Sequence, residues 1–370
     1  MRIVHLIYDD LENPWLGGGG AKRTHEIYKR LAKEHDILVL TGGFPGALPE
    51  IERDQVTYRR IGRGKTYLLS VIDYVLGVIK EIRSLPFDLL VEDFCAFFPV
   101  FSPLWVNAPV IASIQAIFGI ETIKKRKVLG LPAFAAEKVG LHFYRNFIAV
   151  SPAQCQFIKQ KIGQATNIEW IPNAPEETLF LSKSQEENFI LYLGRLEVYG
   201  KGLDTLIKAY AKVAETKTQI HLKIAGDGKD AEIKRLENLI HRSGLVGRVE
   251  LVGKIKGEKK VEMLSRCLFV CIPSRFEGWP IVAIEAAASQ KAIIGTNIPG
   301  LSDTVQNRKT GILVNLEDIE ALSGAMNDLI ENKALRVSLG QNARVWARNF
   351  SWNQSAIQQE QFYLRVVRQR

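Results

Sequence analysis

Cysteine is scarce in this chain, with four residues among 370. Cys267 and Cys271 stand close together, the second within the apolar run LFVCIP, but no C-x-x-C pair occurs. That excludes a disulfide framework and gives no ligand spacing for zinc, so the thiols read as reduced core residues. There is no H-E-x-x-H either, and no metal site is expected. Long apolar runs are also missing: nothing approaches the roughly 20 residues that a helix needs to cross a bilayer. The opening MRIVHLIYDD carries a short apolar stretch between one Arg and two Asp. It is too short for a signal-peptide core and reads as a strand. The expected location is cytoplasmic, or peripheral on the inner face of a membrane. No fixed-period repeat occurs, which excludes a solenoid.

What is present is an ordinary globular composition, 46% hydrophobic and 24% charged. The length suits two domains. Lys and Arg number 49 against 40 Asp and Glu, a net charge of +9. Residues 1–170 contribute +4 and residues 171–370 contribute +5, so no basic tail accounts for the excess. Two clusters stand out: Arg53, Arg59, Arg60, Arg63 and Lys65, then Lys124, Lys125, Arg126 and Lys127. Each is either a solvated face or a surface for anionic lipid or nucleic acid. The second cluster has no interleaved aromatics, so a nucleic-acid partner is not expected. Its cations open a predicted helix and oppose the helix dipole, which favours a role other than stability and suggests peripheral contact with an anionic membrane.

Short apolar runs alternate with amphipathic segments. Predicted strands are Ile3–Tyr8, Ile37–Leu40, Val56–Arg59, Leu89–Glu92, Val110–Ser113 and Phe147–Val150, with helices at Ala21–Lys33, Tyr67–Arg83, Ile123–Tyr144 and Pro152–Lys161. The pattern then restarts. Strands are predicted at Phe189–Leu193, His221–Ala225, Val249–Val252, Leu268–Ile272 and Ala292–Gly295. Helices are predicted at Leu203–Ala214, Ala231–Arg242, Val261–Ser265 and Ile281–Ser289. Such alternation means parallel sheets covered on both faces. The polar connector IPNAPEETLFLSKSQEEN reads as a linker. Ligands of such sheets bind beyond the carboxyl ends of the strands.

Three loops carry chemistry. Gly17 to Gly20 precede the first helix, where free amides and close backbone approach suit a phosphate; a flexible loop is the alternative. It is not a G-x-G-x-x-G fingerprint. In LYLGRLEVYGKGLDTLIKAY, Arg195 and Lys201 follow a buried strand and can meet a diphosphate as a bidentate clamp and a point charge, unless they are merely surface cations. In PSRFEGWPIVAIEAAA, Glu277 lies in a loop and Glu285 in the helix opened by Pro280. A glutamate among three alanines is a buried carboxylate in need of a partner, and sugar hydroxyls are good partners.

The ordered motifs GRLEVYGKGLDTLIKAY, KIAGDG, VELVGKI and PSRFEGWPIVAIEAAA, followed by NIPGLSDTV and NRKTGILVN, resemble the retaining GT-B glycosyltransferases of family four. The resemblance runs from the first strand to about Trp352. It implies an α/β fold of two Rossmann-like doubly wound domains facing a cleft. Residues 1–172 would form the acceptor-side domain, with a helix over 353–370 packing back on it, and residues 173–352 the donor-binding domain. It also implies that Arg195 and Lys201 neutralise the diphosphate and that Glu277 binds the transferred sugar beside the amides of Gly278, Trp279 and Ile281. Glu285 would bind the ribose, the base would lie near Gly253, Lys254 and Ile255, and Gly19 and Gly20 would approach the donor. Where many members carry a His, this chain has Gln115, which cannot titrate near neutral pH, so a general base is not expected there. His25 is a further acceptor-side candidate.

The implied activity is a retaining transfer of a hexose from a nucleoside-diphosphate sugar to a sugar, polysaccharide or lipid-linked acceptor. The chain has no Asp-x-Asp triplet to present a divalent metal to a diphosphate, so metal-independent catalysis is expected, with no cofactor beyond the sugar nucleotide. Alternatives are a donor-binding but inactive subunit and a nucleotide-sugar epimerase or phosphorolytic enzyme on the same scaffold. The last two need acid–base groups or a cofactor lysine that the sequence does not display.

Overall fold

The computed structural model describes residues 1–119, 121–164 and 166–369, apart from the side chains of Lys125, Arg126 and Leu129. The membrane expectation for two of the four cations at 124–127 therefore lies outside the described side chains. The chain divides into two compact units, Met1–Asn173 with the segment from Trp352 onward, and Ala174–Ser351.

The first unit is built on β1 (Arg2–Leu6), β2 (Asp36–Gly42), β3 (Glu50–Arg53), β4 (Val56–Ile61), β5 (Leu89–Asp93), β6 (Val110–Ile114), β7 (Asn146–Ala149) and β8 (Asn167–Trp170). They form one sheet in the order β3-β4-β2-β1-β5-β6-β7-β8. All neighbours are parallel except β3 and β4. Helices α1 (Gly19–Leu31), α2 (Tyr67–Ile82), α3 (Glu121–Arg126), α4 (Leu131–Gly140) and α5 (Pro152–Ile162) connect them. The C-terminal helix, Trp352–Arg368, belongs to this unit, where the Tyr363 hydroxyl lies 3.0 Å from that of Tyr28 on α1.

The second unit holds β9 (Phe189–Leu193), β10 (His221–Ala225), β11 (Val249–Gly253), β12 (Phe269–Ile272), β13 (Ala292–Thr296) and β14 (Gly311–Val314), in the order β11-β10-β9-β12-β13-β14. Every pairing is parallel. Its helices are α6 (Leu203–Thr216), α7 (Asp230–Arg242), α8 (Gly257–Arg266), α9 (Ile281–Ala288), α10 (Leu301–Thr304), α11 (Ile319–Glu331) and α12 (Lys333–Ala347). The reason is visible in the sequence. Strands such as FVCI in β12 are buried on both faces, as a sheet covered by helices on two sides requires. Leu203, Leu206, Ile207, Tyr210 and Val213 recur at helical spacing and are all buried along α6.

Several expectations need correction. The predicted helix Ile123–Tyr144 is broken into α3, a 3₁₀ turn, α4 and a second 3₁₀ turn. Lys127 sits at φ 52°, and Gly130 approaches Thr122 so closely that a Cβ would lie 2.3 Å from its carbonyl oxygen. The chain must fold back there, which a continuous helix cannot do. The connector begins as core rather than linker: Ile171 to Pro175 are buried. The Pro172 carbonyl accepts from Arg23 at 3.2 Å and from the Ser355 hydroxyl at 2.9 Å. Strands β3, β8 and β14 were not expected. The Arg53 cluster is largely neutralised within the fold. Arg59 pairs with Glu50 at 2.6 Å, Arg60 with Asp10 at 3.0 Å and Glu12 at 2.7 Å, and Arg53 with Glu12.

Candidate active site

In the second sheet the strand order reverses between β9 and β12, so the loops after these two strands flank the crevice where such sheets bind ligands. The two loops are locked together. Gly202 takes φ 64° and passes so near Pro273 that a Cβ would meet its carbonyl oxygen at 1.9 Å. Only glycine tolerates both demands. Arg275 completes the lock. Its amide donates to the Gly200 carbonyl at 2.9 Å, and its guanidinium holds Asp204 through two bonds of 2.8 and 2.9 Å and Glu317 at 2.6 Å. It also stacks over Tyr199, 4.5 Å from the ring centre. Burial works against its charge, but the hydrogen bonds to Asp204 and Glu317 outweigh burial and raise its pKa further.

Within this frame Lys201 and Glu277 meet: the ammonium lies 2.6 Å from Glu277 Oε1, and the Ser274 hydroxyl donates to the same oxygen at 2.7 Å. Two donors on one oxygen fix the direction of the Glu277 side chain. Arg195 is exposed two residues beyond the end of β9, where its carbonyl accepts from the Tyr192 hydroxyl at 2.8 Å. The backbone at Gly278 is pinned by Gly300, whose Cβ would lie 2.4 Å from the carbonyl oxygens of Glu277 and Gly278. Trp279 turns its buried ring away, onto Phe350 at 5.1 Å. Helix α9 starts at Ile281 with no capping side chain from Pro280. The Ala283 amide already donates to the Pro280 carbonyl at 3.0 Å, while a helix start of this kind offers its earliest amides to an anion.

Glu285, on the second turn of α9, is buried and accepts from the Lys260 ammonium at 2.9 Å. Lys260 in turn reaches Glu176 at 2.6 Å. The protein thus supplies a cationic partner for the carboxylate that the sequence left without one. Gly253 ends β11 at φ 78°, and its carbonyl accepts from the Gly226 amide at 2.9 Å. Lys254 is exposed, 3.8 Å from Asp227, while Ile255 is buried in the core.

In the first sheet the order reverses between β1 and β5. Asp93 ends β5, and Gln115, just past β6, donates to its carboxylate at 3.3 and 3.4 Å and to Ser113 Oγ at 3.2 Å. Gly19 and Gly20 open α1, and a Cβ on Gly20 would sit 3.5 Å from Asp9 Oδ2 and 3.7 Å from Asp93 Oδ2. This corner is acidic, a better setting for sugar hydroxyls than for phosphate. Behind it His5 Nδ1 lies 2.7 Å from the Tyr28 hydroxyl, and Nε2 is buried 3.6 Å from Asp93 Oδ1. Arg23, also buried, has its pKa pulled down to about 10 by burial, and donates to Asn173 at 2.9 Å and Gln359 at 3.1 Å. His25 faces β4 and the turn before it, 2.9 Å from the Tyr58 hydroxyl and 3.0 Å from Asp54. Burial holds its pKa below the usual value.

Sequence reasoning missed Ser274, Arg275, Lys260 and Asp93. The first two lie inside the PSRFEGW motif and were legible there as polar residues next to Glu277. Lys260 sits in the charged run GEKKVEM, where nothing local marks one lysine as the buried one.

Two largely parallel sheets, each reversing strand order, make two Rossmann-like domains, the architecture of the GT-B fold. The chain belongs to the group 1, family 4 glycosyltransferases. The family model "Glycosyl transferases group 1" matches residues 175–346, and "Glycosyltransferase Family 4" matches residues 17–176. The chain is 31% identical over 356 residues to an uncharacterised glycosyltransferase of Methanocaldococcus jannaschii, covering 95% of each. It is 28% identical to the D-inositol 3-phosphate glycosyltransferase of Corynebacterium efficiens, over 47% of this chain and 42% of that protein. Among solved structures it resembles sucrose-phosphate synthase from Thermosynechococcus elongatus, with a TM-score of 0.87, 22% identity and full coverage of both chains. It also resembles HepE of Anabaena in complex with UDP and glucose, with a TM-score of 0.76, 19% identity and 98% coverage of each. Among the described residues no helix is long and apolar enough to cross a membrane.

Proposed function

We propose that this glycosyltransferase moves a hexose, with retention and without a metal, from a nucleoside-diphosphate sugar to a sugar, polysaccharide or lipid-linked acceptor. The observation that carries the proposal is the Lys201–Glu277 pair, 2.6 Å apart at the switch point of the second sheet. It sets a cation for the diphosphate beside a carboxylate for the sugar. The bond between the anomeric carbon and the phosphate oxygen breaks, and charge grows on the leaving diphosphate. Lys201 spends one of its three N–H donors on Glu277 and keeps others for that phosphate. Arg195 and the first amides of α9, at Ile281 and before it at Gly278 and Trp279, add to the same field.

Glu277 accepts hydroxyls of the transferred hexose. Glu285, oriented by Lys260, accepts the ribose hydroxyls, and the base lies by Gly253, Lys254 and Ile255. The acceptor oxygen bonds to the face that the phosphate leaves, and its proton passes to the departing phosphate. The first unit serves the acceptor through Gln115, with His25 at its flank, while Gly19 and Gly20 approach the donor. The reaction takes place in the cytoplasm, with peripheral contact at an anionic membrane face for a lipid-linked acceptor.

HepE was solved with UDP and glucose, which makes UDP-glucose the first donor to try. In a thermal-shift panel of UDP, GDP, ADP and dTDP sugars, one donor should stabilise the protein. Its hydrolysis should continue in EDTA. Complete loss of hydrolysis in EDTA would sink the metal-free mechanism.

A further inference from the structure

Helix α2 packs Tyr74, Val78 and Ile82 into the core of the first unit. Its outer face is apolar as well. Leu68, Leu69, Ile72 and Leu76 are 67%, 50%, 46% and 64% exposed. Positions 68, 72 and 76 follow the i, i+4 row, with 69 beside it, so they form one stripe along the helix. Single exposed leucines are ordinary, but a contiguous stripe marks an interaction surface.

The character of the stripe favours lipid over protein. Its exposed residues are aliphatic, without the Trp or Tyr anchors that carry binding energy in protein interfaces, and Arg occurs only at its ends. Its ends are cationic. Arg63 and Lys65 precede the helix, Lys80 and Arg83 close it, and all four are exposed. Among the described residues none of these four side chains joins an ion pair, whereas the acids of the helix are engaged. Asp73 accepts from the Arg63 amide at 3.2 Å, and Glu81 takes the guanidinium of Arg59. An aliphatic stripe between unpaired cations is the composition of a helix that lies in the headgroup region of an anionic bilayer.

We infer that α2 is the surface by which the first unit docks on an anionic lipid bilayer. The inference rests on the proposed membrane contact but moves it away from residues 124–127. There Lys124 already pairs with Glu121 at 2.6 Å.

The test is flotation of the full chain with vesicles of phosphatidylcholine alone or mixed with phosphatidylglycerol. The wild type should float with the mixed vesicles and be released as salt rises. The set Leu68→Ser, Leu69→Ser, Ile72→Ser and Leu76→Ser should lower the bound fraction at least about tenfold while circular dichroism and donor hydrolysis stay unchanged. The set Arg63→Ser, Lys65→Ser, Lys80→Ser and Arg83→Ser should remove the preference for anionic vesicles. Replacing Lys124, Lys125, Arg126 and Lys127 with Ser should leave binding within about twofold. If that last set alone abolishes flotation, the membrane contact stands and the assignment to α2 falls. If the wild type does not float, both fall. If light scattering shows a dimer that the leucine set dissolves, with no vesicle binding, the stripe is a self-association surface and the lipid assignment is wrong.

Discussion

The loops after β5 and β6 in the first unit are held mainly by a different device from the loops after β9 and β12 in the second. In the second unit, side-chain cations and carboxylates hold each other: Arg275 with Asp204 and Glu317, Lys201 with Glu277, Lys260 with Glu285 and Glu176. In the first unit Arg60 pairs with Asp10 and Glu12 after β1, but after β5 and β6 buried carboxylates hold backbone. Glu92 accepts from the amides of Val100, Phe101 and Ser102 at 3.0–3.2 Å and from the Ser102 hydroxyl at 2.5 Å. Glu137 accepts from the amides of Phe118 and Gly119 at 2.9 and 2.7 Å. Burial pushes both carboxyls above their ordinary pKa, and the amide hydrogen bonds only partly offset it. A loop framed by ion pairs presents charge to its ligand. A loop framed by backbone capture presents shape and hydroxyl acceptors. Under the proposed function, the first arrangement would face the diphosphate and the second the acceptor.

The comparison breaks first at Lys201. If the cations of the second unit stabilise the leaving group, Lys201→Ala should lower kcat about 10²-fold with the stabilising donor. A Ser274→Ala control, which removes only a hydroxyl from Glu277, should cost far less. Equal losses would mean that the lysine serves to position Glu277 and not to neutralise phosphate. Arg275 comes next and tests stability. Arg275→Met leaves Asp204 and Glu317 facing one another without their cation. Because Glu317 is half exposed, the cost should be at the low end for a broken buried pair, about 2–3 kcal/mol. Thermal unfolding should show a fall of several degrees. A fall of less than a degree would mean that the Gly202–Pro273 contact alone joins the two loops.

The same difference explains what was legible beforehand. The limits of β9 and β10 follow directly from FILYL and HLKIA, because apolar runs bounded by polar turns have one reading inside a covered sheet. Arg195, Lys201, Glu277 and Glu285 were visible as charges at the ends of apolar runs. Their pairing was not, because Lys201 and Glu277 are 76 residues apart and only the adjacency of β9 and β12 brings them together. In the first unit the sequence misled at Ile123–Tyr144, where apolar spacing suggested one helix and the close packing of Gly130 on Thr122 broke it. Glu92 gave no signal at all. It lies in the strand LLVED, and its partners are amides, which every residue but proline has.

Glu92 therefore offers the smallest and most selective test. Glu92→Gln keeps the shape but places an amide NH₂ toward the Ser102 N–H and hydroxyl, where an acceptor is needed. About 1 kcal/mol should be lost, measured by urea unfolding near pH 5. The pH dependence carries the sign. Burial raises the folded pKa of Glu92 above its ordinary value. Below the unfolded pKa both states hold the proton, and the contribution of the carboxyl group is complete. As pH rises, the unfolded chain ionises first, and the contribution is lost until the folded pKa is passed. Glutamine does not titrate, so the deficit of Glu92→Gln should be largest at acid pH and should narrow as pH climbs. A deficit that widens with pH would mean that the amides of Val100, Phe101 and Ser102 outweigh burial. The first unit would then hold its loop through a stabilised anion, and the contrast with the second unit would reduce to the identity of the donor.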